Sequence, residues 1–129
     1  MNILIVEDEF LITLTLKSQL EALGHRVVGT SRDGQTAVSL AKDLRPDLVL
    51  MDIGMPGMDG IAATAKIMAE TPMPVVMLTA YNDRQRVQEA MRAGATAYLL
   101  KPVNEGQLER AIGDTIARFK NAHCEAPQD

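Results

Sequence analysis

The chain alternates short apolar runs with longer stretches in which apolar residues recur at helical spacing. Five runs rich in β-branched and aliphatic residues are each followed by such a helical stretch. Several runs are apolar at consecutive positions, which is typical of strands covered by helices on both faces. The pattern therefore predicts repeated βα units and a parallel sheet. The predicted strands cover residues 2–6, 26–30, 47–51, 75–79 and 97–100.

The helical stretches carry recognisable start and stop signals. Aspartate suits the N-cap of a helix, glycine can end one in a left-handed conformation, and proline prevents its continuation. In the first stretch, one face carries Ile12, Leu16, Leu20 and Leu23. Five helices are predicted: one ending at Gly24, one from Asp33 to just before Pro46, one over residues 60–70, one from Asp83 to Gly94, and one over residues 104–119.

Length and composition favour a single α/β domain. The chain has 129 residues, of which 47% are hydrophobic and 3% aromatic, so that it can build one sizeable core. A net charge of −4 argues against a surface that binds nucleic acid, because such surfaces need clustered lysine and arginine. No apolar run approaches the roughly 18 residues of a membrane span. The single cysteine, Cys124, indicates a reducing compartment, and we expect a cytoplasmic protein without a membrane partner.

Acidic side chains follow the first and third predicted strands. Glu7, Asp8 and Glu9 end the first apolar run, and Asp52 ends the third. Ligands of parallel sheets bind beyond the carboxyl ends of the strands, where the strand order reverses. Gathered carboxylates repel each other unless a cation compensates, and their oxygens favour Mg²⁺, or Mn²⁺ in its place. We expect Asp8 and Asp52 to bind the metal directly and Glu7 through water. The alternative is a solvated helix start, a role that suits Glu9 in either case.

Asp52 is also a candidate nucleophile. Carboxylates form aspartyl phosphates, and phosphoryl transfer depends mainly on positioning and charge neutralisation. One phosphoryl oxygen each could be held by the metal, by the Lys101 ammonium, and by the Thr79 hydroxyl or backbone N–H groups. The alternatives are that Asp52 is an ordinary turn residue, that Lys101 extends into solvent, and that Thr79 is simply a β-branched strand residue. A cis peptide bond at Pro102 would aim Lys101 over the edge of the sheet and favour the first interpretation.

Three further residues flank this candidate site. Tyr81 and Gly54 lie two positions after Thr79 and Asp52, where they could govern the access of water. Tyr98, on the last predicted strand, is either a core or half-buried aromatic residue or a ring that turns inward when Thr79 moves. The residues alone leave both roles of Tyr98 open.

Four segments together resemble the receiver domain of two-component response regulators. They are Val6-Glu7-Asp8-Glu9, the run Met-Asp-Ile-Gly-Met-Pro-Gly-Met-Asp-Gly at residues 51–60, Leu78-Thr79-Ala80, and Lys101-Pro102. The resemblance covers residues 1–120, and residues 121–129 would form a polar, flexible tail. It implies a flavodoxin-like (βα)5 fold of the doubly wound α/β class, with a five-stranded parallel sheet in the order 2-1-3-4-5.

The same resemblance implies a phosphorylation switch. A sensor histidine kinase or a phosphotransfer protein would pass a phosphoryl group to Asp52 with Mg²⁺ bound, and the Gly54 carbonyl would join the metal ligands. Lys101 would bind the phosphoryl group, and Thr79 and Tyr98 would form the switch pair. The domain would not be an enzyme beyond catalysing its own phosphorylation and dephosphorylation.

Partners are expected at one face. An output domain, a partner protein or a second copy in a homodimer would bind the face of the fourth helix, fifth strand and fifth helix, without direct contact of this domain with nucleic acid. Candidate contacts on the fourth helix are Arg84, Arg86, Gln88 and Arg92.

Two residues depart from the usual family pattern. Glu7 replaces a frequent aspartate, and Gly54 replaces a frequent polar residue, which leaves the lifetime of the phosphate open.

Other functions remain as alternatives. Residues 7–12, 78–83 and 97–102 with Ala117-Arg118-Phe119 more weakly resemble receivers of ANTAR regulators, and the chain would then be part of a longer RNA-binding antiterminator rather than a stand-alone receiver. A Mg²⁺-dependent phosphohydrolase commonly needs a general acid near its nucleophile, and Gly54 cannot serve as one. A flavin-binding domain of similar topology would need a hydroxyl- and glycine-rich phosphate loop instead of the acids at residues 7–9.

Overall fold

A computed structural model describes residues 1–55, 57–80 and 84–123. Its strands form one parallel sheet in the order β2-β1-β3-β4-β5, so that the strand order reverses between β1 and β3. The predicted fold class and strand order are confirmed. The strands are β1 (Asn2–Val6), β2 (Arg26–Ser31), β3 (Leu48–Asp52), β4 (Val75–Thr79) and β5 (Ala97–Leu100).

Helices follow each strand, and two of them begin at capping aspartates. Asp33 accepts a hydrogen bond from the Thr36 backbone N–H at 2.8 Å, and Asp59 accepts one from the Ala62 N–H at 2.9 Å. The predicted cap Asp83 lies outside the described residues. None of the helices in the described part of the chain has the length and apolar character needed to cross a membrane. The helices are α1 (Phe10–Ala22), α2 (Gly34–Leu44), α3 (Gly60–Glu70), α4 (Arg84–Arg92) and α5 (Glu105–His123).

The boundary of β3 differs from the sequence prediction. The strand begins at Leu48 and includes Asp52, because its pairing with β4 continues to the register pair Asp52 and Leu78. The Ile53 N–H then donates to the Leu78 carbonyl oxygen at 3.0 Å. The backbone of Asp52 is therefore part of the sheet.

The ends of β2 and α5 also lie beyond their predicted positions. β2 continues to Ser31, whose carbonyl accepts a hydrogen bond from the Glu7 N–H at 2.9 Å. α5 continues to His123 rather than ending at residue 119, because no proline interrupts the chain between residue 119 and Pro127. The first residues of the predicted tail, 121–129, are thus helical, and residues 124–129 lie outside the described residues.

Two apolar cores cover the two faces of the sheet. α2, α3 and α4 pack on one face, and α1 and α5 pack on the other. β3 and β4 are buried at every position, whereas the edge strand β5 alternates between half-buried and exposed residues. The first core contains Leu4, Val6, Val49, Met51, Val75 and Met77, and the second contains Ile3, Ile5, Leu48, Leu50, Val76 and Leu78.

The loop after β3 folds back onto the backbone of Asp52. The Gly60 N–H donates to the Ile53 carbonyl oxygen at 3.0 Å. A Cβ atom at residue 60 would collide with the Asp52 carbonyl oxygen and would lie 3.0 Å from Ile53 Cα. Only glycine allows this close approach of two backbone segments, and the approach fixes the start of α3 against the end of β3.

Candidate functional site

The carboxyl ends of the central strands line a cleft of about 320 Å³. Its position matches the place where parallel α/β sheets bind ligands, beyond the strand ends and beside the reversal of strand order. Four residues expected to form a site, Asp8, Asp52, Thr79 and Lys101, share this one cavity. The full lining is Asp8, Glu9, Asp52, Ile53, Gly54, Thr79, Ala80, Arg86 and Lys101.

Three carboxylates meet at one side of the cleft. Glu7, Asp8 and Asp52 each offer an oxygen, and these oxygens lie within 4.8 Å of one another. Glu7 and Asp52 are buried, with only 1% and 5% of their surfaces exposed. Like charges this close are costly without a cation. The cluster fits a divalent ion of the Mg²⁺ type, which takes one or two carboxylates and other oxygen ligands.

Lys101 brings a positive charge into the same cluster. Its Nζ atom lies 2.7 Å from Glu7 Oε1 and 3.3 Å from Asp52 Oδ1, and its side chain is only 13% exposed. The backbone supports this placement, since the Lys101 N–H donates to the Thr79 carbonyl oxygen at 2.8 Å. The peptide bond between Lys101 and Pro102 is cis. Lys101 thus lies over the acids and does not extend into solvent.

Burial shifts the protonation of these groups. It raises the pKa of Glu7 to about 7, an effect that the hydrogen bond from Lys101 reduces and the charge of Asp52 increases. Burial also raises the pKa of Asp52, although Lys101 and the Gly54 N–H oppose the shift. Burial alone would lower the pKa of Lys101, but the contacts with Glu7 and Asp52 outweigh it and raise that pKa. The ammonium therefore stays charged, while the carboxylates would be stabilised by a further cation.

Glu7 takes part in the site more directly than the sequence suggested. The prediction gave it only a water-mediated contact with a metal, whereas its carboxylate pairs with Lys101 and accepts a hydrogen bond from the Glu9 N–H at 3.2 Å. The sequence signal for this pairing was weak, because the two residues follow β1 and β5, which are not neighbours in the sheet.

The cleft is open beside Asp52. The Gly54 N–H donates to Asp52 Oδ1 at 3.2 Å. Gly54 is exposed, and a Cβ atom built on it would meet no atom within 4 Å. Thr79 ends β4 in the same cavity and is itself buried. A small group could therefore approach the Asp52 carboxylate from the side of Gly54.

Tyr98 lies apart from this cleft. It is 44% exposed, so that it is not a core residue. Its ring borders a surface cavity of about 240 Å³ together with Arg84, Val87 and Gln88 of α4. Tyr81, the other tyrosine expected to influence the site, lies outside the described residues.

The sequence as a whole matches the family described as response regulator receiver domain, over residues 3–113. The chain belongs to this family. The match spans all five strands, so that the receiver expected from four short motifs is confirmed over nearly the whole chain.

Individual relatives agree with this assignment. The receiver is 45% identical over 119 residues to the transcriptional regulatory protein PdtaR of Mycobacterium tuberculosis, an alignment that covers 92% of this chain and 58% of that protein. It therefore spans little more than half the length of this relative. Among solved structures, it resembles the signal receiver domain of a modulated diguanylate cyclase from Desulfovibrio desulfuricans G20, with a TM-score of 0.87, 39% identity, and 95% and 98% of the two chains covered.

A third relative was solved as part of a complex. A chain of the crystal structure of the CheX–CheY–BeF3–Mg²⁺ complex from Borrelia burgdorferi is 30% identical to this receiver, with a TM-score of 0.81. The alignment covers 86% of this chain and 85% of that one.

Arg86 of the receiver's cleft and its partner Asp59 were missed as site residues. The sequence placed Arg86 among candidate partner contacts on the fourth helix, whereas it lines the cleft. Its Nη2 atom lies 3.2 Å from Oδ2 of Asp59, the N-cap of α3. The Asp59-Gly60 pair before an apolar helical stretch was a readable cap signal. The ion pair could not be predicted from the sequence, because Asp59 and Arg86 lie 27 positions apart in the chain.

Proposed function

We propose that this receiver accepts a phosphoryl group on the Asp52 carboxylate from the phosphohistidine of a sensor histidine kinase or a phosphotransfer protein. In this step the P–N bond of the phosphohistidine breaks, a P–O bond to Asp52 forms, and the imidazole leaves. One observation carries the proposal: Asp52 ends a buried strand with Lys101 Nζ at 3.3 Å and with the carboxylates of Glu7 and Asp8 beside it. Such transfers depend on positioning and on charge neutralisation.

The proposed roles follow from the contacts of each side chain. Lys101 would neutralise charge on the phosphoryl oxygens, because it already contacts Asp52. The Thr79 hydroxyl and the Gly54 N–H would donate hydrogen bonds to the remaining oxygens, since both line the same cleft. The open space at Gly54 would admit the donor and also water.

A divalent ion is part of the proposal. Asp8, Asp52 and the Gly54 carbonyl oxygen would hold Mg²⁺, or Mn²⁺, and Glu7 would contact it through water. The ion would supply positive charge to the phosphoryl oxygens. The acidic cluster of described residues supports this assignment, as does the Mg²⁺ in the CheX–CheY–BeF3–Mg²⁺ complex that contains a relative.

The proposed response to phosphorylation passes through β4 and β5. Thr79 would move towards the phosphoryl group, and the exposed Tyr98 ring would turn inward into the space left behind. The face of α4, β5 and α5 would then change its affinity for an output domain, a partner protein or a second copy. A nearly complete shift between two states needs roughly 5.5 kcal/mol of differential stabilisation, and partial shifts need less.

Catalysis would be confined to this domain's own phosphorylation and dephosphorylation. Turnover of small phosphates as a phosphohydrolase would call for a general acid close to the nucleophile. Gly54, two residues after Asp52, offers none.

The output is a separate proposal. The similarity to PdtaR, a transcriptional regulatory protein, favours a role in controlling gene expression. In an ANTAR-type regulator the receiver would control a following RNA-binding helical domain.

Phosphorylation of the purified chain by acetyl phosphate with Mg²⁺ tests the central proposal. Intact-mass spectrometry should show one added phosphoryl group on the wild type and none on Asp52→Asn, because an amide is not a nucleophile for this transfer. Here the P–O bond to acetate breaks and acetate leaves. Asp43→Asn, on the exposed surface of α2, is the matched control and should be labelled like the wild type. Full labelling of Asp52→Asn would refute the assignment.

A further inference from the structure

An ion pair lies at the edge of the acceptor cleft and joins two elements that flank it. Arg86 of α4 lines the cavity that contains Asp52, and its Nη2 atom lies 3.2 Å from Asp59 Oδ2. The other oxygen of Asp59 caps α3 through the Ala62 N–H. The two oxygens of Asp59 therefore have separate roles, one in the helix cap and one in the ion pair.

This ion pair is weakly held. The side chains of Arg86 and Asp59 are 37% and 38% exposed. Exposed ion pairs contribute little to stability because solvent screens them and because long side chains lose freedom in forming them. Arg86 could therefore leave Asp59 at small cost if a more strongly charged partner came within reach.

Phosphorylation of Asp52 would create such a partner. A phosphoryl group carries a charge of about −1.5 to −2 near neutral pH, with three strong acceptor oxygens, in place of the single charge of a carboxylate. Lys101 already contacts two carboxylates, Glu7 and Asp52. Among the described residues that line the cleft, Arg86 is the other cationic side chain.

The cleft that Arg86 shares with the acceptor also contains a position without a side chain. Gly54 lines the cleft beside Asp52, and the space where its Cβ atom would lie is empty to 4 Å. A guanidinium can hold two phosphoryl oxygens at once, so that it suits this position better than a shorter or singly donating group.

We propose that Arg86 is a phosphoryl-binding residue that exchanges Asp59 for the oxygens of the phosphoryl group on Asp52. The inference rests on the proposed function of Asp52. Asp59 then competes with the phosphoryl group for one guanidinium and sets how strongly the phosphorylated state is favoured. Bound Arg86 also covers the side of the phosphorus that is open at Gly54. It thereby slows hydrolysis, in which water attacks the phosphorus, the P–O bond to Asp52 breaks, and inorganic phosphate leaves.

Two substitutions separate this role from a purely structural one. Arg86→Ala removes the guanidinium. Asp59→Asn removes the competing charge but keeps an oxygen that can accept from the Ala62 N–H, and asparagine caps helices as well as aspartate does. If the ion pair only braced the cleft, both variants would affect the site in the same direction. Under the proposal they act in opposite directions.

Calorimetric titration of the full 129-residue chain with beryllium fluoride and Mg²⁺ measures the affinity for a phosphoryl mimic. We expect Arg86→Ala to weaken binding about tenfold, which corresponds to ~1.4 kcal/mol. Asp59→Asn should strengthen binding about twofold to fivefold, because it removes an exposed ion pair that competes for Arg86. The double variant should bind like Arg86→Ala. After acetyl phosphate labelling, the phosphate should be lost faster from Arg86→Ala and more slowly from Asp59→Asn.

The outcomes distinguish this inference from the function on which it rests. Arg86→Ala within twofold of the wild type, or equal changes in both variants, would overturn the role of Arg86 and leave Asp52 as the acceptor. A wild type that neither binds beryllium fluoride nor becomes labelled would remove the proposed function itself. Arg86→Lys provides a second check, because it keeps the charge but loses the two-pronged contact and should bind between the wild type and Arg86→Ala.

Discussion

Two groups of residues in and beside the acceptor cleft, called its two halves, differ in how firmly the fold holds them. The acid half comprises Glu7, Asp8 and Asp52. The output half comprises Thr79, Tyr98 and Arg86. The acid half lies at the ends of the central strands β1 and β3, and two of its three side chains are almost fully buried. The output half extends from the end of β4, where Thr79 is buried, to the edge strand β5 and to α4, where Tyr98 and Arg86 are far more exposed.

Under the proposed function, this difference separates chemistry from response. A nucleophilic carboxylate with shifted pKa needs low solvent access and fixed neighbours, which the centre of the sheet provides. A switch needs side chains that can change partners at small cost, and exposed groups on an edge strand and on a helix meet that need. Lys101 links the halves, since it follows β5 and contacts the acids that follow β1 and β3.

Removing the charge of Lys101 should have the largest effect on the stability of the protein. Lys101→Met keeps much of the side-chain volume but leaves the Glu7 and Asp52 carboxylates without their cation. We expect a loss of about 3 kcal/mol in the free energy of unfolding at pH 8 without metal, because removing one member of a buried pair leaves a buried charge. Urea denaturation measures it.

The control for this substitution is Lys17→Met, on the exposed surface of α1. Exposed substitutions of this kind usually change stability by no more than about 0.5 kcal/mol. Equal stability of the two variants would mean that Lys101 does not stabilise the acid half and does not connect it to the output half.

The acid half should have a smaller effect on how the free energy of unfolding depends on pH. The pKa of Glu7 is raised from 4.5 to about 7, so that the folded state binds more protons than the unfolded state between these values. Stability must then fall as pH rises through this window. The pKa of Asp52 is also raised, so that its ionisation likewise lowers the stability as pH rises, beginning at a lower pH.

Urea denaturation between pH 4.5 and 7.5 with a chelator present measures this slope. The difference between the wild type and Glu7→Gln isolates Glu7, because glutamine does not titrate, and the variant should show a flatter profile. Millimolar Mg²⁺ should reduce the slope in the wild type, since a cation favours the ionised acids. Parallel profiles for the wild type and Glu7→Gln would show that Glu7 does not carry the buried proton.

The contrast between the halves also explains what the sequence could predict. Continuous apolar runs identified all five strands, and parallel strand ends necessarily brought Asp8, Asp52, Thr79 and Lys101 to one edge of the sheet. That convergence follows from topology, because side chains at strand ends have little freedom to lie elsewhere. Asp8 and Asp52 of the acid half, together with Thr79 and Lys101, were therefore predictable as members of one site.

Tyr98 and Arg86 of the output half were not predictable in the same way. Tyr98 could have packed inside or outside, and only the packing of α4 beside β5 decides that it is exposed. Arg86 could have faced solvent, and its contact with Asp59 depends on where the loop after β3 meets α4. The pairing of Glu7 with Lys101 belongs to the same class, since a long side chain crosses between strands that are not neighbours.

The smallest effect on the unphosphorylated protein should come from Tyr98→Ala in the output half. Because the ring is 44% exposed, its removal should cost about 1 kcal/mol or less in the free energy of unfolding. Labelling of Asp52 should be unchanged, since Tyr98 does not line the acceptor cleft. The response should change: the backbone amide shifts that beryllium fluoride induces in β5 and α4 should shrink, as measured by two-dimensional NMR. Tyr98→Phe keeps the ring and should retain most of the response. Loss of labelling in Tyr98→Ala would place this residue in the chemistry, and shifts identical to those of the wild type would mean that the signal leaves the cleft by another route.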